Sequence, residues 1–184
     1  MKHVIVAIGF ALFASASPSA QTPTGTSGSS VALTASASLM DTQGRNIGEA
    51  RLQQTPHGVL LKLELKNATP GIHALHIHEV GRCEAPSFES AGGHFAPSGR
   101  RHGFLNAKGP HAGDLPNIEV PATTELTLEH LVSNVTLEPG AHSLLDSNGS
   151  AIVIHTGKDD YTTEPAGDSG DRIACGRITR DGAR

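Results

Sequence analysis

The chain has 184 residues, only 3% of them aromatic and none of them Trp, with eleven histidines and a net charge of −4 at pH 7. That length suits one domain with some extra segment, and an acidic balance without a basic tract argues against a nucleic-acid partner. A core must be built from Val, Leu, Ile and Ala, while 21 Gly and 11 Pro imply many turns.

Residues 1–20, MKHVIVAIGFALFASASPSA, have the form of a signal peptide: Lys2, an apolar run from Val4 to Phe13, then small residues. The run is too short to span a membrane as a helix. Cleavage fits after Ala16 or after Ala20. Loss of Lys2 leaves thirteen basic residues against eighteen acidic, a charge of −5. Residues 21–30 are a Gly/Ser/Thr/Pro linker expected to be disordered. The domain proper is expected over 31–184. Within it, VALTASASLM alternates Val31, Leu33, Ala35, Ala37 and Leu39 with small polar residues, the period of a strand. After the turn DTQGRN, IGEARLQQ can form a second strand. GVLLKLELK alternates Leu61, Leu63 and Leu65 with Lys62, Glu64 and Lys66. ELTLEHLV, SAIVIH and DRIACGRIT supply further short strands. Met40, on the first strand and far from any motif, reads as core. Short strands parted by turn residues, with no helical stripe, predict an all-β antiparallel sandwich or barrel. Two stretches break the rhythm, Glu79 to Ile118 and Thr156 to Gly170, and loops of that length in a compact domain usually carry function or disorder.

The histidines fall on these features. GIHALHIHEVGRC places His76 and His78 two apart, on one face if the segment is a strand. His155, at the end of SAIVIH, is the natural third member of an all-imidazole set, which favours Cu(II). The first long loop carries His94, His102, His111 and Asp114, three imidazoles and a carboxylate suited to Zn(II) without any thiolate. Only two cysteines are present, Cys83 and Cys175. In an exported chain they are expected to form a disulfide rather than remain buried thiols.

Taken in order, GIHALHIHEVGRC, AGGHF-P, the HG of His102–Gly103, HAGDL, VIH followed by Asp159–Asp160, and GDRIACG resemble the Cu,Zn superoxide dismutases, most closely the exported bacterial members. The resemblance runs from about Ser30 onward. It implies a Greek-key β-sandwich with two long functional loops, the architecture that general fold descriptions also give for this family. It further implies one copper per subunit on His76, His78, His94 and His155, and one zinc per subunit on His94, His102, His111 and Asp114. His94 would bridge the two ions. Asp159 would link His76 to His102, Cys83 would pair with Cys175, and Arg172 would attract and orient the anion. Charge alone adds a second candidate: a net-negative chain acting on an anion needs a local positive field, to which Lys158 on the second long loop can contribute. The implied activity is dismutation of superoxide by a copper redox cycle, with His94 and Arg172 as catalytic residues. The substrate is the superoxide anion. No nucleic acid and no membrane anchor are expected, the protein would be periplasmic or otherwise exported, and the family includes both monomers and homodimers. Ala74-Leu75 stands where many members have Gly-Phe. His73 would bond to backbone, and His57, His130 and His142 need no metal role. A copper-delivery module would not require Arg172 or Asp159, a relative without redox activity would lack a copper ligand, and an adhesion sandwich leaves the histidines unexplained.

Overall fold

Period-two patterning becomes an antiparallel sheet in the computed structural model, which describes residues 32–182 together with Met1 and His3. The signal-like segment and the linker otherwise lie outside the described residues. The strands in chain order are β1 (Thr34–Asp41), β2 (Asn46–Thr55), β3 (Gly58–Leu65), β4 (Gly71–His73), β5 (Leu75–His78), β6 (Ile118–Val120), β7 (Leu126–Val132), β8 (Ala151–His155), β9 (Arg172–Arg177) and β10 (Thr179–Arg180). Among the described residues the helical content is one 3-10 turn, Glu89–Ala91.

β1, β2 and β3 form consecutive hairpins, and the full order is β5-β8-β9-β1-β2-β3-β7, with β10 beside β1. A late strand, β9, thus returns beside β1, as a Greek key requires. β4 pairs with β6 in a small second sheet, His73 opposite Ile118. Ala35, Ala37 and Leu39 of β1, Ala50 and Leu52 of β2, and Leu61, Leu63 and Leu65 of β3 are all buried on one face. Residues near both ends of the strand order, Ile77 of β5 and Val132 of β7, join the same core, as do Ile118 and Val120 of β6. The sheet therefore curls around a single apolar interior. Met40 departs from expectation: it points outward from β1 and is 36% exposed, because the alternation that buries Leu39 turns its neighbour to solvent.

β8 and β9 are covered on both faces. Ile152, Ile154 and Ala174 face the main core, while Ala151, Val153 and Cys175 pack with Phe88 and Ala91 of the first long loop. Double burial explains why AIVI is an unbroken apolar run rather than an alternating one. Cys83 and Cys175 are bonded, with Cα atoms 5.6 Å apart, so the loop is pinned covalently and by packing to the same strand.

Candidate metal centre

β5 reads LHIH and is buried throughout. Leu75 and Ile77 enter the main core, so the pleat turns His76 and His78 together to the opposite face, beneath the long loops. Ala74 and Leu75 are both buried, and Ala74 exchanges backbone bonds with the end of β8 and the chain just beyond it, accepting from His155 N and donating to Gly157 O. One side of β5 pairs with β8, which carries His155. Its other edge is taken by the first long loop: Phe95 N–H donates to Ile77 O, and Ile77 N–H donates to Gly113 O. These bonds set His94 opposite His78, and Asp114 opposite His76. Gly113 is required there, since a Cβ would lie 2.2 Å from Ile77 O.

Two four-residue sets result, His76-His78-His94-His155 and His94-His102-His111-Asp114, each with ligand atoms within 4.8 Å of one another. His94 belongs to both. Its Nδ1 faces Asp114 Oδ1 at 2.8 Å, while its Nε2 is buried without a partner. The imidazole rings of His76 and His94 are 4.0 Å apart between centroids.

The first set is defined by what its nitrogens lack. His76 Nδ1, His78 Nε2, His94 Nε2 and His155 Nε2 are all buried with no hydrogen-bond partner. The opposite ring nitrogens are held: His78 Nδ1–H donates to Gly92 O at 2.9 Å, and His76 Nε2–H donates to Asp159 Oδ2 at 2.9 Å. His155 Nδ1 lies 3.1 Å from both Gly170 O and Ser169 Oγ. A buried polar atom without a partner costs free energy, and four converging together are the arrangement an ion would satisfy. Burial and the neighbouring imidazoles push the His155 pKa down to about 3. Burial likewise takes His94 down to about 4 against the pull of Asp114, and lowers His78 well below its ordinary value. These rings are neutral at pH 7, as metal ligands must be.

The second set is arranged around Asp114. Oδ2 accepts Gly103 N–H at 2.8 Å and His111 N–H at 3.0 Å, which turns Oδ1 inward. Oδ1 then lies 2.8, 3.2 and 3.2 Å from Nδ1 of His94, His102 and His111, and the His94 and His111 Nδ1 atoms are 3.4 Å apart. A tetrahedral ion with bonds of about 2.0–2.1 Å has ligand–ligand edges of about 3.3 Å, so these separations fit Zn(II). Burial pushes the Asp114 carboxyl up, but the hydrogen bonds it accepts hold it well below the usual carboxylate range. Burial also pushes His102 down, yet Asp114 and Asp159 outweigh it and raise its pKa to about 9.

Asp159 ties the sets together. Its Oδ1 accepts His102 Nε2–H at 3.0 Å while Oδ2 holds His76. Gly167 makes room for it: a Cβ there would lie 1.8 Å from Asp159 Oδ1. Arg172 is half-buried, its Nη1 and Nη2 each donating at 2.7 Å, to Phe88 O and Gly92 O. It shares the Gly92 carbonyl with His78, so the guanidinium is fixed beside that ring rather than engaged by a surface carboxylate. Lys158 is exposed on the second long loop. His73 lies apart from both sets, with its ring nitrogens 2.8 and 2.9 Å from the carbonyls of His155 and Thr69. Sequence reasoning missed the parts played by Gly92, Gly167, Ser169 and Gly170. Gly92 and Gly170 act through their carbonyls and Gly167 through the side chain it lacks, none of which a sequence pattern announces, and a lone serine carries no spacing signal.

Comparison with known proteins bears on this geometry. The family profile for copper/zinc superoxide dismutase matches residues 46–178. A superoxide dismutase [Cu-Zn] of Aquifex aeolicus is 49% identical over 148 residues, 79% of this chain and 86% of that protein. One from Caulobacter vibrioides is 46% identical over 138 residues, 73% of this chain and 79% of that protein. The crystal structure of a SOD-like protein from Bacillus subtilis superposes with a TM-score of 0.76 at 37% identity, covering 78% of this chain and 97% of that one.

Proposed function

Because the chain belongs to the copper/zinc superoxide dismutase family, we propose that its two ligand sets hold copper and zinc and that it converts superoxide to dioxygen and hydrogen peroxide. Copper would be held by His76, His78, His94 and His155, and zinc by His94, His102, His111 and Asp114. When bound, copper supplies a one-electron couple that oxidises one superoxide and reduces a second, and zinc supplies a fixed charge on the shared imidazole.

The residues of the chain do the rest. The Gly92 carbonyl and Asp159 hold the far nitrogens of His78 and His76, leaving His78 Nε2 and His76 Nδ1 bare and oriented. With Nδ1 held by the second set, the one ring proton of His94 would sit on Nε2, which has no protein partner and can hand it to a reduced oxygen. Arg172 presents a rigid positive charge for the incoming anion. The leader-like residues 1–20 and the Cys83–Cys175 bond support action outside the cytoplasm, in the periplasm or beyond, against superoxide arising there. In this reading 1–20 is removed, 21–30 is a linker and 31–184 is the enzyme domain. Among the described residues no helix is long and apolar enough to cross a membrane.

The observation that carries the proposal is the convergence of four orphaned imidazole nitrogens, one of them on a ring whose other nitrogen belongs to the second set. Metal analysis of the purified protein together with a superoxide-decay assay tests it. One copper and one zinc per chain with rapid decay is expected; a fully loaded protein that left superoxide untouched would overturn it.

A further inference from the structure

The partners of the copper-facing histidines are not alike. His78 Nδ1 meets one carbonyl, Gly92 O, and His76 Nε2 meets one carboxylate oxygen, Asp159 Oδ2. His155 Nδ1 meets two acceptors at equal distance, Gly170 O and the hydroxyl of Ser169, both at 3.1 Å. Ser169 is 2% exposed. Its backbone is fixed as well, because Gly157 N–H donates to Ser169 O at 2.8 Å and Thr156 N–H donates to Asp171 O at 2.8 Å. A buried hydroxyl on a pinned segment, aimed at a ring nitrogen, is a built contact.

We propose that Ser169 is a positioning residue for His155: its Oγ takes a share of the Nδ1–H that Gly170 O alone would otherwise hold, which fixes the ring and makes Nε2 a stronger donor to Cu(II). The inference rests on the ligand reading given above. Its chemical basis is that an acceptor on the far N–H of an imidazole raises the basicity of the near nitrogen, and that loss of such an outer partner typically costs about 10–100-fold in metal affinity. Ser169 supplies half of a shared bond and Gly170 O remains, so the low end of that range applies. A more basic imidazole favours the more highly charged ion, so Cu(II) gains more than Cu(I) and the copper midpoint is set lower than Gly170 O alone would set it.

The test is Ser169→Ala in the full chain, loaded with zinc. Cu(II) affinity is measured by chelator competition, the copper midpoint by redox titration, and the Cu(II) electron paramagnetic resonance spectrum is recorded. Loss of the hydroxyl should weaken Cu(II) binding about tenfold with Cu(I) affinity unchanged, which raises the midpoint by about 59 mV for a one-electron couple. The spectrum should shift, while zinc affinity and the far-ultraviolet dichroism stay at wild-type values. Wild-type affinity, midpoint and spectrum in Ser169→Ala would overturn the inference and leave the ligand assignment standing. So would equal losses of zinc and copper, which would mark Ser169 as merely structural. Wild-type protein binding Cu(II) no better than His155→Ala would sink the ligand assignment and this inference with it.

Discussion

At the scale of single residues, the two ligand sets differ in what they ask of protons. His94 and His155 have pKa values near 4 and 3, so both are already neutral at pH 7. His102, raised to about 9, carries a proton there that must leave its Nδ1 before the second set can close. Zinc uptake by the metal-free protein should therefore release a proton from His102 at pH 7, and zinc affinity should fall about tenfold per pH unit below about 9. In the metal-free protein the same raised pKa favours folding below the ordinary value of 6.5, and that contribution is lost as pH rises through about 9. Titration calorimetry in two buffers of different ionisation heat checks the proton count; identical zinc heats in both would refute it. Removing ligands should separate the sets. His78→Ala should lose copper and activity and keep zinc, whereas Asp114→Ala should lose zinc first, since Asp114 also holds Gly103 and His111 by their N–H groups. Retention of two metals and full activity by both variants would show the assignment to be wrong. Gly167 allows a sharper case. It sits at φ 70° and a Cβ would strike the Asp159 carboxylate, so Gly167→Ala should break the Asp159 link between His76 and His102. An affinity loss of about 10–100-fold at one or both sites is expected, read by chelator competition.

At the scale of elements, the strands legible in the sequence were those with one dry face. β1, β2, β3 and β7 alternate because one side meets the core and the other meets water. β8 was legible as a short apolar run, though not as a strand buried on both sides. β6 was missed because three residues, Ile118–Val120, are too few to establish a period, and its partner β4 was merged with β5. The GIHALHIH segment divides at Ala74, with β4 and β5 joining different sheets, which no periodicity could indicate. Ser133–Ser150 forms a third irregular stretch that was not foreseen, held by the bridge between Thr136 and Ser143. The types and order of the residues in the two sets were legible; which nitrogen of each ring faces inward was not, because that depends on carbonyls placed by distant backbone. The first long loop is held to the sheet by the Cys83–Cys175 bond, by Phe88 and Ala91 packed on Cys175, and by the two carbonyls on Arg172. The residues bridged are 92 apart. Cys83→Ser should therefore lower stability by about 2–5 kcal/mol and reduce protection of the loop amides against hydrogen exchange. It should also disturb Gly92 O, the carbonyl that orients both His78 and Arg172. Unchanged thermal stability together with unchanged exchange across residues 79–93 would show that packing alone holds the loop.

At the scale of the whole molecule, charge and substrate are at odds. The chain is net negative and superoxide is an anion, so the overall field repels what the enzyme must collect. Fast turnover then requires a local positive field at the site. In the function proposed above Arg172 is the source of that field, in a form a solvated lysine could not match: two carbonyls fix its guanidinium beside His78, and partial burial reduces the screening that salt exerts. Burial lowers its pKa and Glu89 opposes that change, but an arginine side chain stays charged throughout the working range. A charged cleft can raise association rates by about 10–10³, a range for which this family is itself one of the standard examples. The wild-type rate should fall as ionic strength rises, because screening weakens the attraction at the cleft. Arg172→Lys should keep a good part of the rate, since the charge stays while one of the two fixing bonds is lost. Arg172→Glu should cut the rate by about 10-fold or more and flatten or invert the salt dependence, because screening would then relieve repulsion. Copper content must stay at wild-type level in both variants for the effect to belong to the substrate rather than to the metal. Pulse-radiolysis rates across a salt series would decide the matter: an Arg172→Glu protein with the wild-type rate and the wild-type slope would show that the steering charge lies elsewhere, with Lys158 the next cation to remove.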